Sequence, residues 1–91
     1  MTTERVALIR GRLEAAFQPD ELDIVDDSHL HAGHAGARDG RGHFRVRIRS
    51  RHFTGKKTLE RHRMIYAALG ALMQSDIHAL GVVALSPEEV G

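Results

Sequence analysis

The most constraining feature of the sequence is the stretch 43–51, in which apolar residues and arginines alternate. Phe44, Val46 and Ile48 fall on one side of an extended chain, and positions 45, 47, 49 and 51 place arginines on the other side. A period of two predicts a β-strand with one core face and one open face. Because like charges on one face repel, the arginines need water, acidic neighbours or an anionic ligand beside them.

The residues before this strand predict a helix and a second strand. Apolar residues recur at helical spacing over roughly 3–17, at Val6, Ile9, Leu13, Ala16 and Phe17. Pro19 and Asp20 should end that helix, and Leu22, Ile24 and Val25 indicate a short strand. The glycine- and histidine-rich stretch 29–42 has too few apolar side chains for a core element, so it is expected to be a surface loop.

The residues after this strand predict a second main helix over roughly 59–73, with Thr58 as its N-cap. A short helical turn fits in front of it. The apolar stripe of this helix is expected to consist of Leu59, His62, Tyr66, Leu69 and Met73. Ile65 and Leu72 widen the stripe. The segment 77–85 is rich in Val, Ile, Leu and Ala, which is typical of a strand buried on both faces.

These elements predict one α/β domain of the α+β type over residues 1–91. A chain of 91 residues is long enough for one hydrophobic core and too short for two. The order helix, strand, strand, helix, strand is best satisfied by helices packed on one face of a three-stranded mixed sheet.

Composition limits the chemistry that this chain can perform. The chain contains no cysteine, which excludes disulfides, thiolate nucleophiles and cysteine-built metal sites within the chain alone. The sequence has no Ser/His/Asp order, no phosphate-binding loop and no paired acids in a plausible cleft, so we do not expect an enzyme. No apolar run approaches the roughly 18 residues of a membrane span, and we expect a soluble cytoplasmic protein.

The small net charge of +1 hides a strong segregation of charge along the chain. Residues 1–40 carry −4, residues 41–66 carry +8 and residues 67–91 carry −3. The basic block either solvates one face of the fold or attracts an anionic partner.

Six segments of the chain resemble the BolA family, in order and at the family's spacing. They are Asp27-Ser28, the histidine-rich loop, Gly42-His43-Phe44-Arg45-Val46, Phe53-Thr54-Gly55-Lys56, Leu59-Glu60-Arg61-His62-Arg63-Met64-Ile65-Tyr66 and Ile77-His78-Ala79-Leu80. The resemblance implies an αββααβ topology similar to class II KH domains. It also implies either partnership with a monothiol glutaredoxin around a [2Fe–2S] cluster, or DNA-linked transcriptional regulation of cell shape and stress responses.

The seven histidines are sorted by position. His78 opens the last strand, where the residues alone favour a half-buried structural histidine, whereas the resemblance implies a metal ligand. The resemblance also implies a second ligand from the loop, for which His31 is the best match and His34 a competitor. His43 is expected beside these ligands as a supporting group. His62 is read as structural, and no role is assigned to His52.

Imidazoles without a thiolate cannot complete an iron–sulfur site. A [2Fe–2S] cluster takes four ligands, of which two can be histidines on one iron. The remaining ligands would therefore come from a second molecule, such as a glutaredoxin cysteine and its glutathione.

The nucleic-acid alternative depends on basic residues, because the sequence lacks the second glycine of a GxxG loop at positions 55–58. The candidates for binding DNA phosphates or a protein partner are Arg47, Arg49, Lys56, Lys57, Arg61 and Arg63. Binding to DNA through these residues should be weak and sensitive to salt.

Overall fold

The computed structural model describes residues 2–28 and 42–90. The elements follow one another as α1 (Thr2–Phe17), β1 (Glu21–Asp26), β2 (Gly42–Arg49), a 3₁₀ turn (Arg51–Phe53), α2 (Thr58–Leu69), α3 (Leu72–Ser75) and β3 (Ile77–Leu85). Apart from Gly42, the predicted loop at 29–42 lies outside the described residues. No helix in the described ranges is long and apolar enough to cross a membrane.

The alternating strand lies at the centre of the sheet, between its two neighbours. β2 pairs antiparallel with β1 and parallel with β3, so the sheet is mixed. Phe44, Val46 and Ile48 are buried in the core together with Ile9 and Leu13 of α1. The predicted fold class is confirmed: the helices pack on the apolar face of a three-stranded mixed sheet.

The opposite face of β2 carries its arginines. Glu21 of β1 and Asp27, the residue after β1, lie beside them. Glu21 accepts hydrogen bonds from Arg47 Nη1 at 2.9 Å and from Arg49 Nε at 2.6 Å. Asp27 accepts two hydrogen bonds from Arg45, one from Nε to Oδ2 and one from Nη2 to Oδ1. Acidic neighbours therefore offset the repulsion between arginines that the sequence predicts. The hydrogen bond from Arg49 is the main cause that lowers the pKa of Glu21.

β3 lies at the edge of the sheet, and one of its faces is open. The prediction of a strand buried on both faces is therefore wrong. Its side chains alternate between the core and the open face, and Val83 is 49% exposed. The apolar run was misleading because periodicity cannot separate a doubly buried strand from an edge strand whose open face is apolar.

The second main helix is interrupted, and its start differs by one position from the prediction. α2 ends at Leu69 because Gly70 adopts a positive φ of 54°, and α3 follows from Leu72. Thr58 is the first helical residue, whereas Lys57 is the N-cap and donates its backbone N–H to Glu60 Oε1 at 3.3 Å.

The buried face of α2 is also different from the predicted stripe. Leu59 is 62% exposed and Tyr66 is 40% exposed, whereas Arg61, Ile65 and Leu69 are buried. Ile65 and Leu69 of the predicted stripe are therefore confirmed as core residues, and Arg61 is buried on the same side of the helix.

Arg61 holds the end of the chain to the helix and the sheet. Its Nε donates to Lys56 O at 2.8 Å, and its Nη1 donates to Ala84 O at 2.9 Å and to the Glu89 carboxylate. Glu89 Oε1 also accepts the Ser86 N–H at 2.6 Å. From β2, Arg49 Nη1 donates to Ser86 O at 3.0 Å and to Glu89 O. Two arginines therefore clasp residues 86–89.

Replacing Arg61 by Met should lower the free energy of unfolding by about 2 kcal/mol, because two backbone carbonyls and Glu89 lose their donor while the apolar stem remains. Urea unfolding measures this loss. The control is Arg63→Met, which changes an exposed neighbour and should stay within about 0.5 kcal/mol of the parent. Equal losses in both variants would contradict the clasp.

The clasp should also make stability sensitive to acid. The Ser86 backbone N–H, followed by the Arg61 guanidinium, lowers the pKa of Glu89 from its ordinary value of 4.5 to about 2. Because the folded pKa is depressed, the contribution is present above pH 4.5 and is lost as the pH falls toward 2. Melting temperatures across this window should fall less steeply for Glu89→Gln than for the parent. Glu21 leaves a residual slope. An unchanged slope would exclude Glu89 as a contributor.

Candidate functional site

The end of β1 and the beginnings of β2 and β3 meet at one end of the sheet, where they place two histidines together. His43 follows the first residue of β2, and His78 follows the first residue of β3. Their ring centroids lie 5.1 Å apart, with the planes inclined by 47°. His43 is half-buried and His78 is exposed.

His78 lies at an irregularity of the ladder between β2 and β3. Gly42 is opposite Ile77, but the next residue, His43, is opposite Ala79, so the register passes over His78. An extra residue of this kind re-aims a side chain relative to the regular alternation of a strand. The irregularity thus presents the His78 ring at the surface while Ile77 stays in the core.

Backbone contacts fix the three strand ends around the histidine pair. Gly42 N donates to Asp76 O at 2.8 Å, which ties the start of β2 to the residue before β3. The β1 end is tied to β2 twice: Asp27 N donates to His43 O at 2.7 Å, and His43 N donates to Ser28 Oγ at 3.1 Å. These three hydrogen bonds hold together the strand ends that carry the two histidines.

A shallow groove of about 330 Å³ lies beside His43. It is lined in part by Asp27, His43, Arg45 and Gly81. The Arg45 side chain is 65% exposed, and Asp27, its partner, is only 13% exposed. Arg45 was not among the predicted partner-binding residues, although its place in the arginine strand beside His43 was the available signal.

The described residues supply two imidazoles to this site and no complete metal-binding set. Among residues 2–28 and 42–90, no group of three histidine, aspartate or glutamate side chains is arranged to hold a metal ion. The predicted loop ligands, His31 and His34, lie outside the described residues. β1 ends at Asp26, and Ser28, two residues later, lies within hydrogen-bonding distance of His43 at the start of β2.

Two other histidines contact side chains away from this end of the sheet. His52 Nε2 lies 3.0 Å from Gln18 Oε1, and its ring meets the edge of Phe17. The His62 ring lies beside Tyr66, with centroids 6.4 Å apart, on the exposed side of α2.

Three of the six predicted basic residues are bonded within the fold, and the other three are exposed. Arg61, predicted as a partner-binding residue, is buried, and its guanidinium donates to Lys56 O and Ala84 O within the fold. Arg49 is similarly engaged by Glu21 and two carbonyls, and Arg47 by Glu21. The remaining three are exposed: Lys56, Lys57 and Arg63.

Comparison with known proteins identifies relatives for nearly all of this fold. A family model described as BolA-like protein matches residues 13–89. The chain is 46% identical over 87 residues to SufE-like protein 1, chloroplastic/mitochondrial, of Arabidopsis thaliana, covering 90% of this chain and 24% of that protein. It is 43% identical over 74 residues to the DNA-binding transcriptional regulator BolA of Escherichia coli, covering 81% and 68%.

Solved structures agree with the fold. The BolA domain of SufE1 from Arabidopsis thaliana superposes with a TM-score of 0.83 at 43% identity, covering 94% of this chain and 95% of that one. The solution structure of BolA1 from Mus musculus gives 0.75 at 37% identity, covering 91% and 65%. This chain spans only 24% and 55% of the length of the two plant relatives SufE-like protein 1 and BOLA1.

Gly42 should tolerate no side chain, because the close packing of the site frame leaves no room. A Cβ there would lie 2.6 Å from Phe44 Cε2 and 2.8 Å from Ser28 Oγ, whereas a Cβ at Gly81 would meet only Arg45 Cγ at 3.5 Å. Gly42→Ala should therefore cost about 1–3 kcal/mol in urea unfolding and shift the His43 and His78 ring resonances. Gly81→Ala, the matched control, should do neither. Equal behaviour of the two variants would refute the packed frame.

Proposed function

The chain belongs to the BolA-like family, and on this premise we propose that it is a non-enzymatic adaptor that pairs with a monothiol glutaredoxin and co-ligates a [2Fe–2S] cluster. The observation that carries the proposal is the exposed His78 ring, held beside His43 by a ladder irregularity in a chain without cysteine. The cluster is the shared cargo of the pair, to be moved or sensed.

The donor chemistry of the chain fits a shared cluster and does not fit a self-contained one. Neutral imidazole can replace thiolate at two positions on one iron of a [2Fe–2S] cluster. This chain has seven histidines and no cysteine, so any thiolate must come from a partner. A glutaredoxin cysteine and its bound glutathione are thiols of the required kind.

His78 is the proposed principal ligand from this chain because it is exposed and its backbone is fixed. We assign His43 a supporting role, since its ring lies against His78 and its backbone N–H and C=O both bind the β1 end. A neighbour of this kind orients a ligand and tunes its basicity. His31, or alternatively His34, is proposed as the second ligand.

Imidazole ligation gives the shared cluster two properties. Replacing thiolate by histidine raises the reduction potential of a [2Fe–2S] centre. Protonation of an imidazole removes it as a ligand, so the hold on the cluster should weaken in mild acid.

DNA-linked transcriptional regulation is the competing proposal, and the name of the Escherichia coli relative supports it. The charges of this chain give it less support. Of the six candidate residues, Arg47, Arg49 and Arg61 are engaged in ion pairs within the fold. The exposed cations that remain can attract phosphate without reading sequence.

Replacing His78 by Ala should change the visible absorption and circular dichroism of the cluster formed anaerobically with apo-glutaredoxin, glutathione, iron and sulfide, because an imidazole ligand is lost. His43→Ala should change the same spectra less. His52→Ala is the matched control, since that ring contacts Gln18 far from the site, and it should leave the spectra unchanged. Identical spectra for the parent and His78→Ala, with both proteins folded, would refute the ligand assignment.

A further inference from the structure

β3 is an edge strand that lacks the features which usually prevent edges from pairing. Residues 77–85 read Ile-His-Ala-Leu-Gly-Val-Val-Ala-Leu and contain no Lys, Arg, Asp, Glu or Pro. Natural proteins protect long edge strands with such residues, because unpaired N–H and C=O groups invite another strand. We propose that the outer edge of β3 pairs antiparallel with β3 of a second copy of this chain.

The hydrogen bonds at the end of β3 show which of its residues face outward. Leu85 O accepts from Ser50 N on the β2 side, whereas the preceding carbonyl, Ala84 O, accepts from Arg61 Nη1. Successive residues of a strand direct their backbone groups to opposite sides. Leu80 and Val82 therefore direct their N–H and C=O groups away from β2, and no strand within 2–28 or 42–90 lies on that side.

The other edge of the sheet does not share this property. β1 carries Glu21, Asp23 and Asp26 within six residues. An edge strand with three acidic residues opposes like charges when it pairs with a copy of itself, which disfavours the pairing. The self-complementary edge is therefore β3.

The structure also fixes the register of the pairing. Arg61 occupies Ala84 O at one end, and the ladder irregularity at His78 ends the regular strand at the other. Only 79–83 remains, and its centre is Gly81. A two-fold axis there places Leu80 of one copy opposite Val82 of the other, as two hydrogen-bonded pairs. The two Gly81 residues form the closer pair without hydrogen bonds, where a missing side chain eases approach.

The expected dimer is weak. A five-residue edge buries far less than the ~1,200 Å² of a stable interface, so the pairing is reversible and appears at high protein concentration. The proposal does not depend on the glutaredoxin function, because it uses the backbone of β3 and neither histidine ring.

Amide hydrogen exchange by NMR, with sedimentation equilibrium on the same samples, tests the pairing between about 20 µM and about 2 mM protein. As the concentration rises, protection of the Leu80 and Val82 amides should increase in step with the dimer fraction. Gly81 and Val83, whose amides face β2, should be protected throughout.

Val82→Pro should abolish the dimer, because it removes an outward N–H and leaves the bonds to β2 in place. Val82→Ala is its matched control, since it loses the side chain and keeps the N–H, and it should still dimerise. A second variant, Gly81→Lys, places like charges opposite each other and should raise the dissociation constant roughly fivefold, whereas Gly11→Lys on the exposed side of α1 should not.

A single sedimenting species of monomer mass up to about 2 mM, with unchanged exchange at Leu80 and Val82, would overturn the proposal. A dimer that survives Val82→Pro would overturn it as well, because another surface would then be responsible. Protection of these amides that appears only when a glutaredoxin is added would assign the edge to that partner and not to a second copy.

Discussion

The structure depends on the central position of a strand whose two faces differ completely. β2 buries Phe44, Val46 and Ile48 and presents its arginines on the other face. The helices must therefore pack on the apolar face, and acidic side chains from β1 must neutralise the arginines on the other face. The same arrangement leaves β3 as an edge and brings the strand ends that carry His43 and His78 to one end of the sheet.

A second constraint comes from arginines that serve the fold. Arg61 and Arg49 satisfy carbonyls and a carboxylate around residues 86–89, so much of the basic block between 41 and 66 is consumed internally. Four arginines of this segment are ion-paired within the described fold: Arg45, Arg47, Arg49 and Arg61. The charge balance also leaves Arg45, next to His43, as the most exposed arginine of β2.

The sequence predicted the elements whose periodicity is unambiguous, and it failed where tertiary contacts decide. The period of two in β2 predicted the alternation of buried and open side chains along that strand. The resemblance implied a metal-binding role for His78. The predicted stripe of α2 was wrong at Leu59 and Tyr66, which are exposed although they satisfy helical spacing as well as the buried Ile65 does. Arg61, which the stripe left out, is buried through bonds to two carbonyls. The ladder irregularity that re-aims His78 depends on pairing between distant strands, which no local pattern reveals.

The central claim is that an imidazole of this chain binds iron in a cluster shared with a glutaredoxin. Pulsed electron paramagnetic resonance of the reduced cluster tests it most directly, with ¹⁵N-labelled chain and an unlabelled glutaredoxin. The account predicts strong ¹⁵N couplings from directly bound imidazoles, reduced in His78→Ala, which keeps only the loop histidine, and unchanged in His52→Ala. Absence of ¹⁵N coupling in the parent complex, or an unchanged coupling spectrum in His78→Ala, would contradict the account.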